Sequence, residues 1–179
     1  MNDQSFSLAP FPSVRPLPSV SIEGTIARRA RTLTIRYRLL GRLRDLVIPA
    51  QAAAPERKEG LWMDTCFEMF LAVKSARRYW EFNLSPAGNW NVYRFTSYRE
   101  GMAEEPAFPA LPLTVETQRR AWTLALEIDL AKIVPADLAL EVAISAILKH
   151  KDGSMTHWAL IHRGPEPDFH RRDSFIITL

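Results

Sequence analysis

Tyr79-Trp80-Glu81-Phe82-Asn83-Leu84-Ser85-Pro86-Ala87-Gly88-Asn89-Trp90-Asn91-Val92-Tyr93-Arg94-Phe95 reads as a β-hairpin whose turn also sets its register. Pro86 pre-sets the first turn position and Gly88 can take a positive φ, as a three-residue loop ending in a bulge requires. Ser85 then pairs with Asn89. Counting outward sets Leu84 against Trp90, Asn83 against Asn91, Phe82 against Val92 and Glu81 against Tyr93. Opposed residues share a face. One face is therefore Trp80, Phe82, Leu84, Trp90 and Val92, with Arg94 at its end, and it is expected in the core. The other carries Glu81, Asn83, Asn91, Tyr93 and Phe95, and reads as a polar and aromatic surface. A one-residue slip would mix the two sets and strand an amide in the core, so the bulged register is the chemically consistent one.

The preceding segment, residues 64–73, behaves alike. Phe67, Met69, Leu71 and Val73 form a core face, and Asp64, Cys66, Glu68, Phe70 and Ala72 alternate with them. If this strand is adjacent, Glu68 joins Glu81 on the second face. Residues 32–40 alternate Leu33, Ile35, Tyr37 and Leu39 against Thr34, Arg36 and Arg38, the period of a strand with one wet face. Similar runs occupy 45–48, 113–117, 121–130, 138–148, 155–161 and 174–178. Asp152-Gly153 between apolar runs is a strong hairpin signal and joins 138–150 to 155–161. Helix is minimal: 130–134 is one turn stopped by Pro135, and 50–59 looks more like a loop. About ten short strands predict an all-β fold, a jelly-roll-like β-sandwich of two antiparallel sheets, and a βαβ scaffold does not fit. Residues 1–20 read as an extended, Pro-rich lead-in to a single domain spanning 1–179.

Composition agrees with one ordinary globular domain: 179 residues, 47% apolar, 24% charged, 13 Pro and 7 Gly. A chain of this size buries a core large enough to need no metal or disulfide, and the single Cys66 cannot form an internal bridge. The net charge of +3 comes from 23 basic residues scattered among 20 acidic ones, too diffuse for a nucleic-acid footprint. Pro10, Pro12, Pro16 and Pro18 interrupt any apolar stretch near the start, and no Lys or Arg precedes Arg15. Neither a secretory signal nor a membrane span is expected, which makes the cytoplasm the default compartment.

Carboxylates, side-chain amides and aromatic rings on a rigid sheet suit a polyhydroxylated ligand. Carboxylates accept hydroxyl protons, amides donate and accept, and ring faces cover the C–H patches of a sugar. Glu68, Glu81, Asn83, Asn91 and Tyr93, with Trp62 at the edge, are thus the candidate ligand-binding set. The bland alternative is an ordinary solvated face with Arg94 or Arg99 as salt partners. His150, His157, His162 and His170 lack metal-ligand spacing, so no metal and no cofactor are expected. Cys66 lies in an apolar strand with no flanking base and reads as a buried, inert thiol. Trp80, Trp90 and Trp122 fit a core, while Trp158 fits either a core or the lining of an opening.

Gly60-Leu61-Trp62, Thr65-Cys66-Phe67-Glu68-Met69-Phe70, the 79–90 run quoted above, Tyr93-Arg94-Phe95 and Tyr98-Arg99-Glu100-Gly101-Met102 form a combined pattern. With Trp158-Ala159-Leu160, Pro167-Asp168-Phe169-His170 and Asp173-Ser174-Phe175, it resembles bacterial DOMON-like proteins related to family 9 carbohydrate-binding modules. The resemblance implies a jelly-roll β-sandwich and a sugar or haem ligand. Carried over by position, it implicates Trp62, Glu68, Glu81, Asn83 and the Tyr93-Arg94-Phe95 run.

The resulting expectation is a non-catalytic ligand-binding sandwich for a carbohydrate or sugar-derived metabolite, with neither nucleic acid nor membrane as partner. One rival is a structural or protein-interaction module without a sugar site. Another is a glycosidase in which Glu68 and Glu81 act as acid and nucleophile at about 5 to 5.5 Å separation. Haem binding is a third, although Met63, Met69, Met102 and Met155 show no ligand spacing.

Overall fold

The computed structural model describes residues 3–12 and 19–179. In chain order the strands are Gln4–Pro10 (β1), Val20–Arg29 (β2), Thr32–Gly41 (β3), Cys66–Val73 (β4), Tyr79–Leu84 (β5), Trp90–Phe95 (β6), Ala103–Glu104 (β7), Leu113–Gln118 (β8), Ala121–Asp129 (β9), Leu140–Lys149 (β10), Met155–Ala159 (β11) and Ile177–Thr178 (β12). Helix among the described residues is limited to four single 3-10 turns. The expectation of a nearly helix-free all-β chain therefore holds.

Every strand pairing is antiparallel, and the strands follow one path: β7-β6-β5-β4-β10-β11-β1-β2-β3-β9-β8, with β12 on the free end of β10. The two antiparallel sheets expected from the sequence are thus joined into one large curled sheet, because β1 pairs with β2 along Gln4–Leu8 and with β11 at Ala9 and Pro10. Curling brings the inner faces of the two ends together. Phe67 on β4 stacks on Trp122 of β9 with centroids 4.6 Å apart, and Tyr37 of β3 lies 5.3 Å from Phe67. The Tyr37 hydroxyl donates to the Glu68 carbonyl at 2.8 Å, which pairs a polar atom that would otherwise be lost in the core.

The decisive hairpin has the expected register, residue for residue, from Glu81 opposite Tyr93 to Leu84 opposite Trp90. The Ser85 amide donates to the Asn89 carbonyl at 2.8 Å, and Gly88 has φ +87°. Strand β4 lies beside β5 with Glu68 opposite Asn83 and Phe70 opposite Glu81, so Glu68 does join Glu81 on one face. The Asp152-Gly153 turn closes β10 onto β11. Trp80, Trp90, Trp122 and Trp158 are all in the core, and Cys66 is fully buried.

Three sequence readings are corrected. The start of the chain is more than a lead-in: 4–10 is a paired strand, its prolines confined to the end at Pro10, beyond which residues 13–18 lie outside the described residues. The run at 45–48 is not a strand but follows a 3-10 turn at Leu43–Asp45, with a single bridge from Leu46 to His150. The run at 174–178 keeps only Ile177–Thr178 as strand. In addition, β2 was unread, because Gly24 and the pair Arg28-Arg29 dilute its alternation. Gly24 itself is required, since a Cβ there would meet the Arg36 carbonyl oxygen at 2.0 Å and the Phe6 ring at 2.4 Å.

Candidate functional site

Strands β4, β5, β6 and β10 have two buried faces. The inner face belongs to the main core. The outer face, read from sequence as a surface, is covered: Glu68 is 2% exposed, Glu81 5%, Asn83 and Asn91 0% and Tyr93 3%. The cover consists of the turn Leu61–Met63, the loop after β6 and the segment 164–175. Period-2 alternation marks which residues share a face but is silent about irregular segments that fold back over it.

The cover is fastened by specific bonds. Asp168 accepts from the Tyr98 hydroxyl at 2.6 Å, from the Arg99 guanidinium at 2.9 Å and from the His170 amide at 3.1 Å. Its carboxyl is held below the usual carboxylate range by those donors, against a burial effect that acts the other way. Farther along, Arg172 pairs with Glu141 of β10 and lies 4.5 Å over the Phe175 ring. Phe175 and His170 pack on Phe70 and Tyr79, while Tyr79 stacks on Phe95 at 4.7 Å.

Between floor and cover lies a cavity of about 370 Å³. Glu68, Phe70, Glu81 and Phe95 line it from the sheet side, with Ile147 and His157 from β10 and β11, and Trp62 lines it from the turn Leu61–Met63. Arg99, Met102, Pro167, Phe169 and His170 close it from above. Of the six residues singled out from sequence, Trp62, Glu68 and Glu81 line this space together. Asn83 stands behind Glu81 and donates to its Oε1 at 2.8 Å. Tyr93 supports Trp62 edge-to-face at 5.8 Å. Asn91 is occupied elsewhere: it accepts from Arg57 at 2.6 Å and donates to Glu104 and to the Tyr93 hydroxyl, both at 2.9 Å.

Burial dominates the electrostatics. It pushes the Glu68 carboxyl well up, and the neighbouring Glu81 charge adds to the effect, while a hydrogen bond from Ser145 at 3.1 Å opposes it. Burial also raises Glu81, to about 7, against the Asn83 hydrogen bond and the Arg99 charge. His170 moves oppositely: burial and then the Arg99 charge lower it to about 4, so its ring is neutral near pH 7. Its Nδ1 is 2.8 Å from the Tyr79 hydroxyl, which accepts from the Arg99 amide and so has its proton free for that ring nitrogen. That tautomer aims the Nε2 proton at Glu81 Oε2, 3.8 Å away and beyond hydrogen-bond reach. Each carboxyl therefore has one oxygen bonded to the protein. Among the described residues, no hydrogen bond to Glu68 Oε1 or Glu81 Oε2 is formed, and both side chains line the cavity.

Sequence reasoning missed Phe70, Ile147, His157 and the cover beyond Trp62 as lining. The Pro167-Asp168-Phe169-His170 run was the available signal, since two aromatics, a carboxylate and a fixed turn at a loop suit a cover better than a strand. The four histidines read from sequence as hydrogen-bonded or exposed side chains without metal-ligand spacing, whereas His157 and His170 line the cavity. Among the described residues there is no grouping of three or more His, Cys, Asp or Glu side chains able to hold a metal ion.

No protein-family model matches the chain, and no curated protein matches it. Its fold has a counterpart in the crystal structure of a candidate carbohydrate-binding protein from Bacteroides uniformis. The two share 14% identity at a TM-score of 0.70, covering 96% of this chain and 84% of the other. A looser likeness, at TM-score 0.48 and 10% identity, is to a family 9 carbohydrate-binding module from Caldicellulosiruptor kristjanssonii in complex with cellotriose, over 80% of this chain and 66% of that one. The chain thus shares the all-β fold of the Bacteroides uniformis structure.

Proposed function

We propose that the protein is a non-catalytic ligand-binding module that takes a carbohydrate or sugar-derived metabolite in the cavity over Glu68 and Glu81. One observation carries the reading: two buried carboxyl groups, each with an oxygen open to a cavity lined by Trp62, Phe70, Phe95 and Phe169. Such oxygens are acceptors that a ligand's donors can complete. Hydroxyl donors do so, and the rings cover the C–H faces of a sugar. The volume lies within the range of small-molecule sites, roughly 300 to 1,000 Å³. The description of the Bacteroides uniformis neighbour agrees with this reading, as does the sequence resemblance to DOMON-like proteins, with a cytoplasmic, nucleic-acid-free setting as part of the same proposal.

Catalysis fits less well. A glycosidase needs its two carboxyl groups to flank the scissile bond, whereas Glu68 and Glu81 stand side by side on one floor as diagonal neighbours of adjacent strands.

The test is calorimetric titration with mono- and disaccharides at pH 8, above the Glu81 titration, for the wild type and for Glu81→Gln, beside a thermal melt of each. A charged acceptor is worth about 1.5 to 3 kcal/mol, so Glu81→Gln should weaken binding about tenfold to a hundredfold with the fold intact. Equal binding by both proteins would move the site off this face. No binding of any sugar would favour a structural or protein-interaction module.

A further inference from the structure

The cavity floor carries two acidic groups, and a neutral sugar would leave them without a cation partner. Glu68 and Glu81 stand on β4 and β5, where diagonal neighbours have Cα atoms about 7 to 8 Å apart and side chains closer. Neither carboxyl has a cation within hydrogen-bond reach among the described residues. The nearest charged group of the lining, Arg99, is committed to Asp168 at 2.9 Å, so that pair is neutral at the rim. From the other elements packed here, Tyr93 of β6 and Tyr79 of β5 are phenols pushed up to about 12, His157 of β11 is lowered by burial, and Cys66 of β4 is raised by it. His170 faces Glu81 as a neutral ring. Arg99 alone among the lining residues brings a positive charge toward the floor, and its guanidinium is already paired with Asp168.

The spare oxygens Glu68 Oε1 and Glu81 Oε2 open into a space walled by Trp62, Phe70, Phe95 and Phe169. Carboxylates below and aromatic faces around are the chemistry that holds an ammonium group: the carboxylates give charge-assisted hydrogen bonds and the rings give cation–π attraction. We infer that the ligand is an amino sugar, a polyhydroxylated ring bearing a protonated amine that seats between Glu68 and Glu81. The inference rests on the sugar reading above and narrows it. Seating the ammonium favours the ionised form of both carboxyl groups, so protons held by the empty site leave for solvent as the ligand binds.

The experiment is calorimetric titration of the full chain at pH 7 with glucosamine, glucose, N-acetylglucosamine and ethanolamine. Each titration is run in two buffers of different ionisation enthalpy, so that proton release is counted. Glucosamine should bind at least about tenfold more tightly than glucose or N-acetylglucosamine, which lack the charge, and it alone should release protons. In Glu68→Gln/Glu81→Gln the preference should vanish, with a thermal melt confirming the fold; the wild-type proton count stands even if that variant fails to fold. Glucose binding as tightly as glucosamine, or glucosamine binding without proton release, overturns the inference and leaves the sugar reading intact. Ethanolamine binding as tightly as glucosamine overturns the amino-sugar assignment and the sugar reading with it. A wild type that binds none of the sugars does the same.

Discussion

The two faces of β4, β5, β6 and β10 are built from alternate residues of the same strands, yet they have opposite characters. Toward the inside, Phe67, Met69, Leu71, Phe82 and Val92 meet the far end of the curled sheet and close into a dry core. Toward the outside, Phe70, Ala72, Tyr79, Tyr93 and Phe95 form a smaller cluster with Phe175 beneath a cover of loops. A sheet covered by another part of itself packs tightly because both surfaces are regular and pleated. A sheet covered by a bonded strap leaves room where the strap does not follow the pleat. The cavity, the carboxyl pair and the perturbed histidine all occur on the second kind of face.

The comparison breaks most directly by truncation. Phe67→Ala removes a ring stacked on Trp122 and should cost about 3 to 5 kcal/mol, as read by urea denaturation. Phe70→Ala, three residues away, should cost clearly less, since its ring already borders open space. Equal losses would mean that the two faces are packed alike.

A second difference is in pH response, which the inner face lacks altogether. Glu68 and Glu81 hold protons more tightly in the folded chain than in the unfolded one. Their stabilisation is therefore complete below the ordinary value of 4.5 and is lost as pH rises, for Glu81 through about 7. His170 acts in the reverse sense, its contribution present above 6.5 and lost as pH falls through about 4. Thermal melts of the wild type and of Glu68→Gln/Glu81→Gln separate the two. The melting temperature of the variant relative to wild type should climb steadily from pH 4.5 to pH 8, and a constant offset would refute the buried-carboxyl account.

Smaller effects sharpen the picture at the margins. Gly88→Ala puts a side chain at φ +87° with the Pro55 ring 3.1 Å away and should destabilise by about 1 kcal/mol or somewhat more in the same denaturation assay. Asp168→Ala should change global stability by only about 0.2 to 1 kcal/mol, because its Arg99 partner is half exposed. Its signature is local: amide exchange across residues 164–171 should accelerate while β4 and β5 stay protected. Unchanged exchange there would show that the cover is held by Phe175 and Arg172 alone.

The contrast between faces also explains what the sequence made legible. Wherever one residue in two is apolar and a turn signal fixes the count, as from Trp80 to Val92, strand, register and facing all follow from local chemistry. The same counting put Glu68 and Glu81 on one side without any structural input. It could not see β2, where Gly24 serves a backbone approach to Arg36 and Phe6 instead of a hydrophobic position. Nor could it see that Asp168 would reach Tyr98 and Arg99, since that contact joins two irregular segments about seventy residues apart and leaves no periodic trace. The outer face was legible as a set of residues and illegible as a buried one.

Strand β1 joins the two halves of the path, and its pairing with β11 has a consequence for the order in which the molecule is completed. The bond from the Phe11 amide to the His157 carbonyl, at 2.7 Å, and the pairs Ala9–Ala159 and Pro10–Trp158 link β1 to residues about 150 positions later in the chain. A ribosome releasing this chain exposes β1, β2 and β3 long before β11 exists, so the edge of β1 that β11 will occupy stays unpaired through most of synthesis. Closure is a long-range event with a correspondingly large loop entropy, which makes it slow. The segment 164–175 follows β11 in sequence, so this part of the cavity's roof cannot be in place until β11 has been made. During that interval Glu68 and Glu81 face water, and the open edge of β1 is a place where a second nascent chain can pair wrongly.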